Sequence, residues 1–183
     1  MRGKTLTRQN VAREPMRYPE SNPPWSGGCL CAKVQYKLTA HPLTFYACHC
    51  TDCQRRSGSA MRLAMWVDRS ALEVTRGTPQ LLTFDMGNGR QRRAKVCVDC
   101  DTRLWAEPAD KSAMAALLPG TLHNAQEFEP VAHLWTKSAL PWVVIPPGAA
   151  VYETHPDRPG ELARLWQEAL QRRNLGGCKV ACG

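Results

Sequence analysis

Three thiols fall within six positions in the stretch Ala47-Cys48-His49-Cys50-Thr51-Asp52-Cys53-Gln54-Arg55-Arg56-Ser57-Gly58, spaced as CxCxxC. If the chain enters this stretch extended, side chains alternate, so Cys48 and Cys50 face one way and His49 the other. A turn at Thr51-Asp52 then brings Cys53 back towards the same point. Structural zinc is closed by four protein ligands, whereas catalytic zinc keeps one position open for water or substrate. Three local cysteines with no fourth ligand beside them therefore predict an open metal site, unless a distant residue closes it. The plainer readings are buried small hydrophobes or half of a closed zinc site, and lone buried cysteines rarely come at this spacing.

The remaining cysteines are not scattered. Of nine in the chain, Cys29/Cys31 form a CxC after Gly27-Gly28, Cys97/Cys100 form a CxxC, and Cys178 and Cys182 sit in the last six residues. The chain shows no export signal, which points to metal or thiol chemistry rather than disulfides. A redox CxxC normally opens a helix within a βαβ pattern. Cys97-Val98-Asp99-Cys100 is flanked by expected strands instead, and reads as a zinc knuckle. Seven cysteines can be shared between two zinc ions in more than one way. Cys29/Cys31 can join Cys97/Cys100 and leave Cys48/Cys50/Cys53 open, or join Cys50/Cys53 and leave Cys97/Cys100 with Cys48. Spacing prefers the first only mildly. Cys178 and Cys182 are read as a chain end rather than a third metal site.

Other side chains near the central cluster have two readings each. Arg55 and Arg56 are solvated charges, or they lower the thiolate pKa values and attract an anionic ligand. His49 packs, or moves a proton on the substrate side. His41, His123, His133 and His155 are read as ordinary surface or core histidines.

Short strands must position these groups. Alternating polar and apolar residues predict strands over Lys33–Leu38, Leu43–Cys48, Met61–Val67, Leu72–Val74, Leu81–Phe84, Arg90–Val96, Arg103–Glu107 and Val131–Thr136. Ser112–Leu118 is a short apolar run that periodicity cannot tell from a helix and is read as a strand, and Asn88-Gly89 is a hairpin turn. Gly27-Gly28 reads as a turn bending around a metal, Gln54–Ser59 as a polar loop or one helical turn, and Pro146-Pro147-Gly148 as the end of the β region. Residues 160–173 form the clear helix, with Leu162, Leu165, Trp166, Ala169 and Leu170 as one apolar stripe. It docks on the β body, or on a second subunit to give a homodimer. The expected organisation is a flexible basic tail over 1–24, a zinc-binding domain over 25–155, and a helix and tail over 156–183.

Composition narrows the class. At 183 residues and 43% hydrophobic, the chain can bury one core, and its 14 prolines and 13 glycines suit strands joined by turns. Every apolar run is broken within a dozen residues, so no membrane segment is expected, and a cytoplasmic location is the default. The formal charge of +8 divides into +3 over residues 1–24, +2 over 156–183 and +3 between them. Seven bound thiolates and two Zn²⁺ would leave that middle portion about neutral. The tails are what make the chain basic, which argues against a nucleic-acid face.

The order Gly27-Gly28-Cys29-Leu30-Cys31, then Cys48-His49-Cys50-x-x-Cys53-Gln-Arg-x-Ser-Gly-Ser, then Cys97-x-x-Cys100, resembles the glutathione-dependent formaldehyde-activating enzyme family, also called the CENP-V/GFA domain. The similarity runs from Trp25 to Tyr152. It implies a mainly β, Mss4-like tent of short antiparallel strands around two zinc ions. It also implies that Cys29, Cys31, Cys97 and Cys100 hold a structural zinc, and that Cys48, Cys50 and Cys53 hold a catalytic, labile one. The family usually has glycine where this chain has Ala32 and Asp101. The implied activity is of carbon–sulfur lyase type, addition of glutathione's thiol to formaldehyde to give S-hydroxymethylglutathione. On that reading His49, Arg55 and Arg56 meet the substrate, which is glutathione or a similar small thiol with a small aldehyde or other electrophile. The alternative is a non-enzymatic interaction module of the same fold.

Overall fold

Two antiparallel-rich sheets share one apolar interior in the computed structural model, which describes residues 19, 21–85, 89, 91–108, 113–147 and 149–176. The strands are β1 (Trp25–Gly28), β2 (Gln35–Leu38), β3 (Thr44–Cys48), β4 (Arg62–Asp68), β5 (Leu72–Arg76), β6 (Gln80–Asp85), β7 (Gln91–Cys97), β8 (Thr102–Glu107), β9 (Met114–Leu117), β10 (Ala132–Leu134) and β11 (Ala150–Tyr152). The helices are α1 (Thr51–Ser57) and α2 (Glu161–Gly176). The expected mainly β architecture is what the chain adopts. Expectations for residues 1–18 and 86–88, and for Cys178 and Cys182, lie outside the described residues.

A three-stranded sheet runs in the order β1-β2-β5, and an eight-stranded sheet in the order β11-β10-β3-β4-β9-β8-β7-β6. Directly opposed residues share a face, so Phe45, Met65, Leu117 and Trp105 align across β3, β4, β9 and β8. That face is fully buried, and Tyr36 of β2 meets Trp105 edge-on with ring centroids 5.7 Å apart. The small sheet thus covers one part of the large one. Helix α2 covers another: Trp166 and Ala169 are fully buried, Trp166 packs against Phe45, and Thr44 Oγ1 donates to the Leu162 carbonyl at 2.9 Å. Of the two expected docking partners for this helix, the structure shows its own chain's β body.

Four local readings differ from the sequence expectation. Gly27 and Gly28 belong to β1, and a Cβ on Gly27 would lie 2.5 Å from the Tyr36 ring and 2.7 Å from the Thr121 carbonyl oxygen. Glycine is required there by close packing rather than by a turn. The stretch after Cys50 is a helix of two turns, α1. Cys50 caps it, Asp52 and Arg55/Arg56 lie at the ends that suit their charges, and Gly58 closes it in the left-handed region. None of its residues is buried, so no apolar stripe announced it. Strand β11 follows the proline-rich segment that read as the end of the β region, and at three residues it is too short to show a period. Finally, β10 is parallel to both β3 and β11. The excursion that precedes it, through short 3-10 turns at Pro119–Thr121 and Ala125–Glu127, supplies the long crossover parallel pairing needs.

Candidate functional site

Two separate groups of sulfur atoms converge. Cys29, Cys31, Cys97 and Cys100 form one and Cys48, Cys50 and Cys53 the other, each with all ligand atoms within 4.8 Å of one another. The first arises because β1 and β7 both end at these loops. In the four-cysteine group the Cys29 and Cys31 sulfurs are 3.5 Å apart, and those of Cys31 and Cys97 are 3.7 Å apart. A tetrahedron with metal–sulfur bonds of about 2.3 Å has edges of about 3.8 Å, so this donor set fits a tetrahedral thiophilic ion. Its surroundings are ordered for sulfur. The Val34 amide donates to Cys29 Sγ at 3.3 Å, and Thr102 Oγ1 lies 3.2 Å from Cys100 Sγ while accepting from the Leu30 amide. The Thr102 contact heads the causes that lower the Cys100 pKa to about 6, whereas burial pushes Cys97 up to about 12. An exposed Lys33–Asp99 ion pair at 2.6 Å links the two loops.

Ala32 and Asp101, each one residue past its cysteine pair, have φ of 57° and 54°. Left-handed backbone costs a β-carbon-bearing residue roughly 1–2 kcal/mol, part of which glycine gives back through its looser unfolded chain. Ala32→Gly is therefore expected to raise stability by roughly 0.5–1 kcal/mol, read as a higher urea midpoint at unchanged zinc content. A lower midpoint would show that the loop does not strain at Ala32.

The three-cysteine group is assembled across a strand–helix junction. Cys48 ends β3, Cys50 caps α1 by accepting from the Cys53 amide at 3.4 Å, and Cys53 lies in the first turn. The residue between them is held from all sides. The His49 amide donates to the Leu134 carbonyl at 2.9 Å, and its own carbonyl accepts from Gln54 Nε2 at 2.7 Å and Ser138 Oγ at 3.1 Å. Its ring is fully buried, stacked on His133 with Nε2 2.9 Å from His133 Nδ1. Burial lowers the His49 pKa. Packing, one of the two readings of His49, is where the structure places it. Gln54 and Ser138 were not singled out by sequence reasoning. Their role depends on a contact 84 residues apart in the chain.

Electrostatics at this cluster are lopsided. Hydrogen bonding between Cys48 and Cys53 leads in pushing the Cys48 thiol up and in lowering Cys53 to about 6, with the Arg62 and Arg56 charges lowering Cys53 further. Arg55 is exposed, whereas Arg56 is half-buried. Arg56 is lowered to about 10, by burial first and then by Arg62, Arg92 and Arg103. Those last three arginines were also missed. Arg62 takes the polar place of an alternating strand, on the side away from Met65 and Val67, so no sequence signal set it apart.

The metal-ligand readings for all seven cysteines fall into the partition that spacing only mildly preferred. The donor sets suit zinc, which favours tetrahedral sulfur sites. In the three-cysteine group no fourth Cys, His, Asp or Glu joins them among the described residues.

Comparison with known proteins follows from this geometry. The profile of the family described as "Glutathione-dependent formaldehyde-activating enzyme" matches residues 24–138. A protein of Emericella nidulans, named for glutathione-dependent formaldehyde activation, is 34% identical over 91 residues, which are 47% of this chain and 45% of that protein. The chain thus matches under half the length of that relative. A crystal structure of a Rhodobacter sphaeroides protein aligns with a TM-score of 0.44 and 17% identity, covering 69% of this chain and 98% of that one. The family match spans every cysteine of both clusters, and the chain belongs to the glutathione-dependent formaldehyde-activating enzyme family.

Proposed function

We propose that the protein is a zinc-dependent enzyme of carbon–sulfur lyase type that joins glutathione, or a closely similar thiol, to formaldehyde. The observation that carries this reading is the inequality of the two clusters: four sulfurs converge in one and three in the other. On this reading Cys29, Cys31, Cys97 and Cys100 hold a structural zinc, and Cys48, Cys50 and Cys53 hold a second with a position left for substrate. An ion at the second site supplies Lewis acidity and affinity for a thiolate. Three thiolates make it a weak generator of hydroxide, which favours a thiol substrate over hydrolysis.

In the reaction the sulfur–carbon bond forms, the carbonyl π bond opens, and the proton lost from the thiol ends on the new hydroxyl. Because the uncatalysed addition is already feasible, the protein's contribution is to collect and orient the two reactants. Arg55 and Arg56, one turn beyond Cys53, receive the thiol's carboxylates. Gln54, Ser138 and buried His49 hold the cysteine-bearing loop still. The seven described cysteines are all unbridged, which suits a reducing, cytoplasmic setting.

The test is calorimetric titration of zinc-loaded, full-length protein with glutathione, followed by carbon-13 exchange spectroscopy of formaldehyde with glutathione. Binding together with an exchange rate that rises in proportion to enzyme is expected. Exchange no faster than in buffer would remove the enzymatic reading and leave an interaction module.

A further inference from the structure

Three arginines of the large sheet, Arg62, Arg92 and Arg103, share one face near Arg56, and none of the four is in an ion pair with a carboxylate among the described residues. Strand register shows how. Cys48 is opposite Arg62, Tyr46 opposite Ala64, and Trp66 opposite Ala116. Ala116 is opposite Ala106, Ala106 opposite Ala94, and two residues along β7 Arg92 is opposite Phe84. Opposed residues share a face, and so do alternate residues of one strand. Cys48, Arg62, Ala64, Ala116, Ala106, Ala94, Arg92 and Phe84 therefore lie on the side of the eight-stranded sheet away from the main core. Ala64, Ala94, Ala106 and Ala116 are buried yet stand outside the principal core cluster. The register shift between Lys95 and Val96 sets Arg103 opposite Val96, and its guanidinium stacks over the Phe84 ring at 5.3 Å. Arg103 is thus on this face too.

The result is one sheet face with buried alanines between its charges, Cys48 opposite Arg62 on β3 and β4, and Arg92 and Arg103 both beside Phe84 on β7, β8 and β6. Arg56 reaches it from α1, close enough that Arg62, Arg92 and Arg103 act on its charge. Arg62 is only 8% exposed, and its Nη2 is buried with no hydrogen-bond partner, as is Nη1 of Arg56. The ion pairs among the described residues engage Lys33, Arg69 and Arg164, none of these four arginines. Burying like charges together without hydrogen bonds or a counter-ion is costly. The Cys53 thiolate, on which Arg62 and Arg56 act, meets part of that charge, and an anionic ligand would meet the rest.

We infer that this arginine-bearing face is the anion subsite of the three-cysteine site, taking the acidic groups of a thiol that carries at least two negative charges, while its sulfur reaches Cys48, Cys50 and Cys53. The sulfur half of this statement rests on the reading of the three-cysteine cluster as the thiol site. The anion half does not. Recognition of the acidic end then extends beyond the adjacent pair Arg55/Arg56 of α1 to Arg62, Arg92 and Arg103 of β4, β7 and β8. Carboxylates and phosphate share the chemistry. Guanidinium donates to either in bidentate fashion.

The test uses zinc-loaded, full-length protein and calorimetry at low and high salt. The probes are glutathione, its diethyl ester with both carboxylates blocked, S-methylglutathione with the sulfur blocked, and coenzyme A as a phosphate-bearing thiol. The variant is Arg92→Gln with Arg103→Gln, chosen because both are only partly buried, with melting temperature and zinc content checked. The anion subsite predicts that the double variant weakens glutathione or coenzyme A about tenfold or more. It also predicts that the loss shrinks at high salt, and that the diester is affected by neither substitution nor salt. Whichever of glutathione and coenzyme A shows the larger loss identifies the acid. Equal binding of diester and glutathione by the parent, or unchanged affinity in the double variant for every acidic probe, overturns the inference. Arginine-dependent binding of S-methylglutathione that equals that of glutathione upholds the anion subsite and removes the thiol reading of the cysteines instead.

Discussion

Cys97→Ser is expected to leave the domain unfolded at neutral pH whatever the zinc concentration. Cys97 is fully buried at the end of β7, and it joins Cys29, Cys31 and Cys100, which come from loops 66 or more residues away in the case of the first pair. Structural zinc binding is worth roughly 10–16 kcal/mol in small zinc-dependent folds, against a net stability of about 5–15 kcal/mol for a whole domain. Losing half of the former, roughly 5–8 kcal/mol, already cancels a net stability at the lower end of the latter. The same serine also leaves a hydroxyl in a pocket shaped for sulfur. Far-ultraviolet circular dichroism with and without added zinc checks this. A variant that retains the parent's spectrum and melting temperature would mean that the four-cysteine group does not hold the fold together.

Cys50→Ser is expected to do the opposite: abolish glutathione binding while the fold survives. The physical reason lies at the start of α1. Cys50 sulfur accepts from the Cys53 amide as the helix cap, and serine is among the best residues at that position. The substitution therefore keeps the helix start and removes one of three thiolates. With two sulfurs left, the site should no longer retain zinc in competition with a chelator that spares the four-cysteine site. The expected signature is one zinc per chain instead of two, glutathione affinity reduced more than about a hundredfold, and a melting temperature within a few degrees of the parent. Undiminished glutathione binding by Cys50→Ser would make the central cluster structural. The paired outcome separates the two sites: one cysteine carries the fold and the other carries the ligand chemistry.

Much of this was legible from residue order alone. The spacings at Cys29/Cys31, Cys48/Cys50/Cys53 and Cys97/Cys100 mark metal sites because ligands on one ion must be close in space, and short spacings guarantee that at little entropic cost. Strands such as β2, β4 and β7 announced themselves because one face of each is in the core, which writes a period of two into the chain, whereas β6 is exposed throughout and alternates without such a face. Helix α2 did so because Leu162, Trp166 and Ala169 repeat at the helical period. The family resemblance closed the one question that spacing left open, how the cysteines divide, and the two sulfur groups are divided in that way.

The remainder needed the tertiary structure. Helix α1 buries nothing, and β1 and β11 are too short for a period, so no pattern could register them. His49 read as packing or moving a proton and His133 as an ordinary histidine, and only the parallel pairing of β10 with β3 sets their rings against each other. Arg62, Arg92 and Arg103 each read as an ordinary charge on an alternating strand. What brings them onto one sheet face is the order β4-β9-β8-β7 together with the register of every pair in it. That order is chosen by the burial of the opposite face, by Phe45, Met65, Leu117 and Trp105. Local sequence therefore determined which atoms could bind a metal, while the packing of the core behind the sheet decided which charges stand beside it.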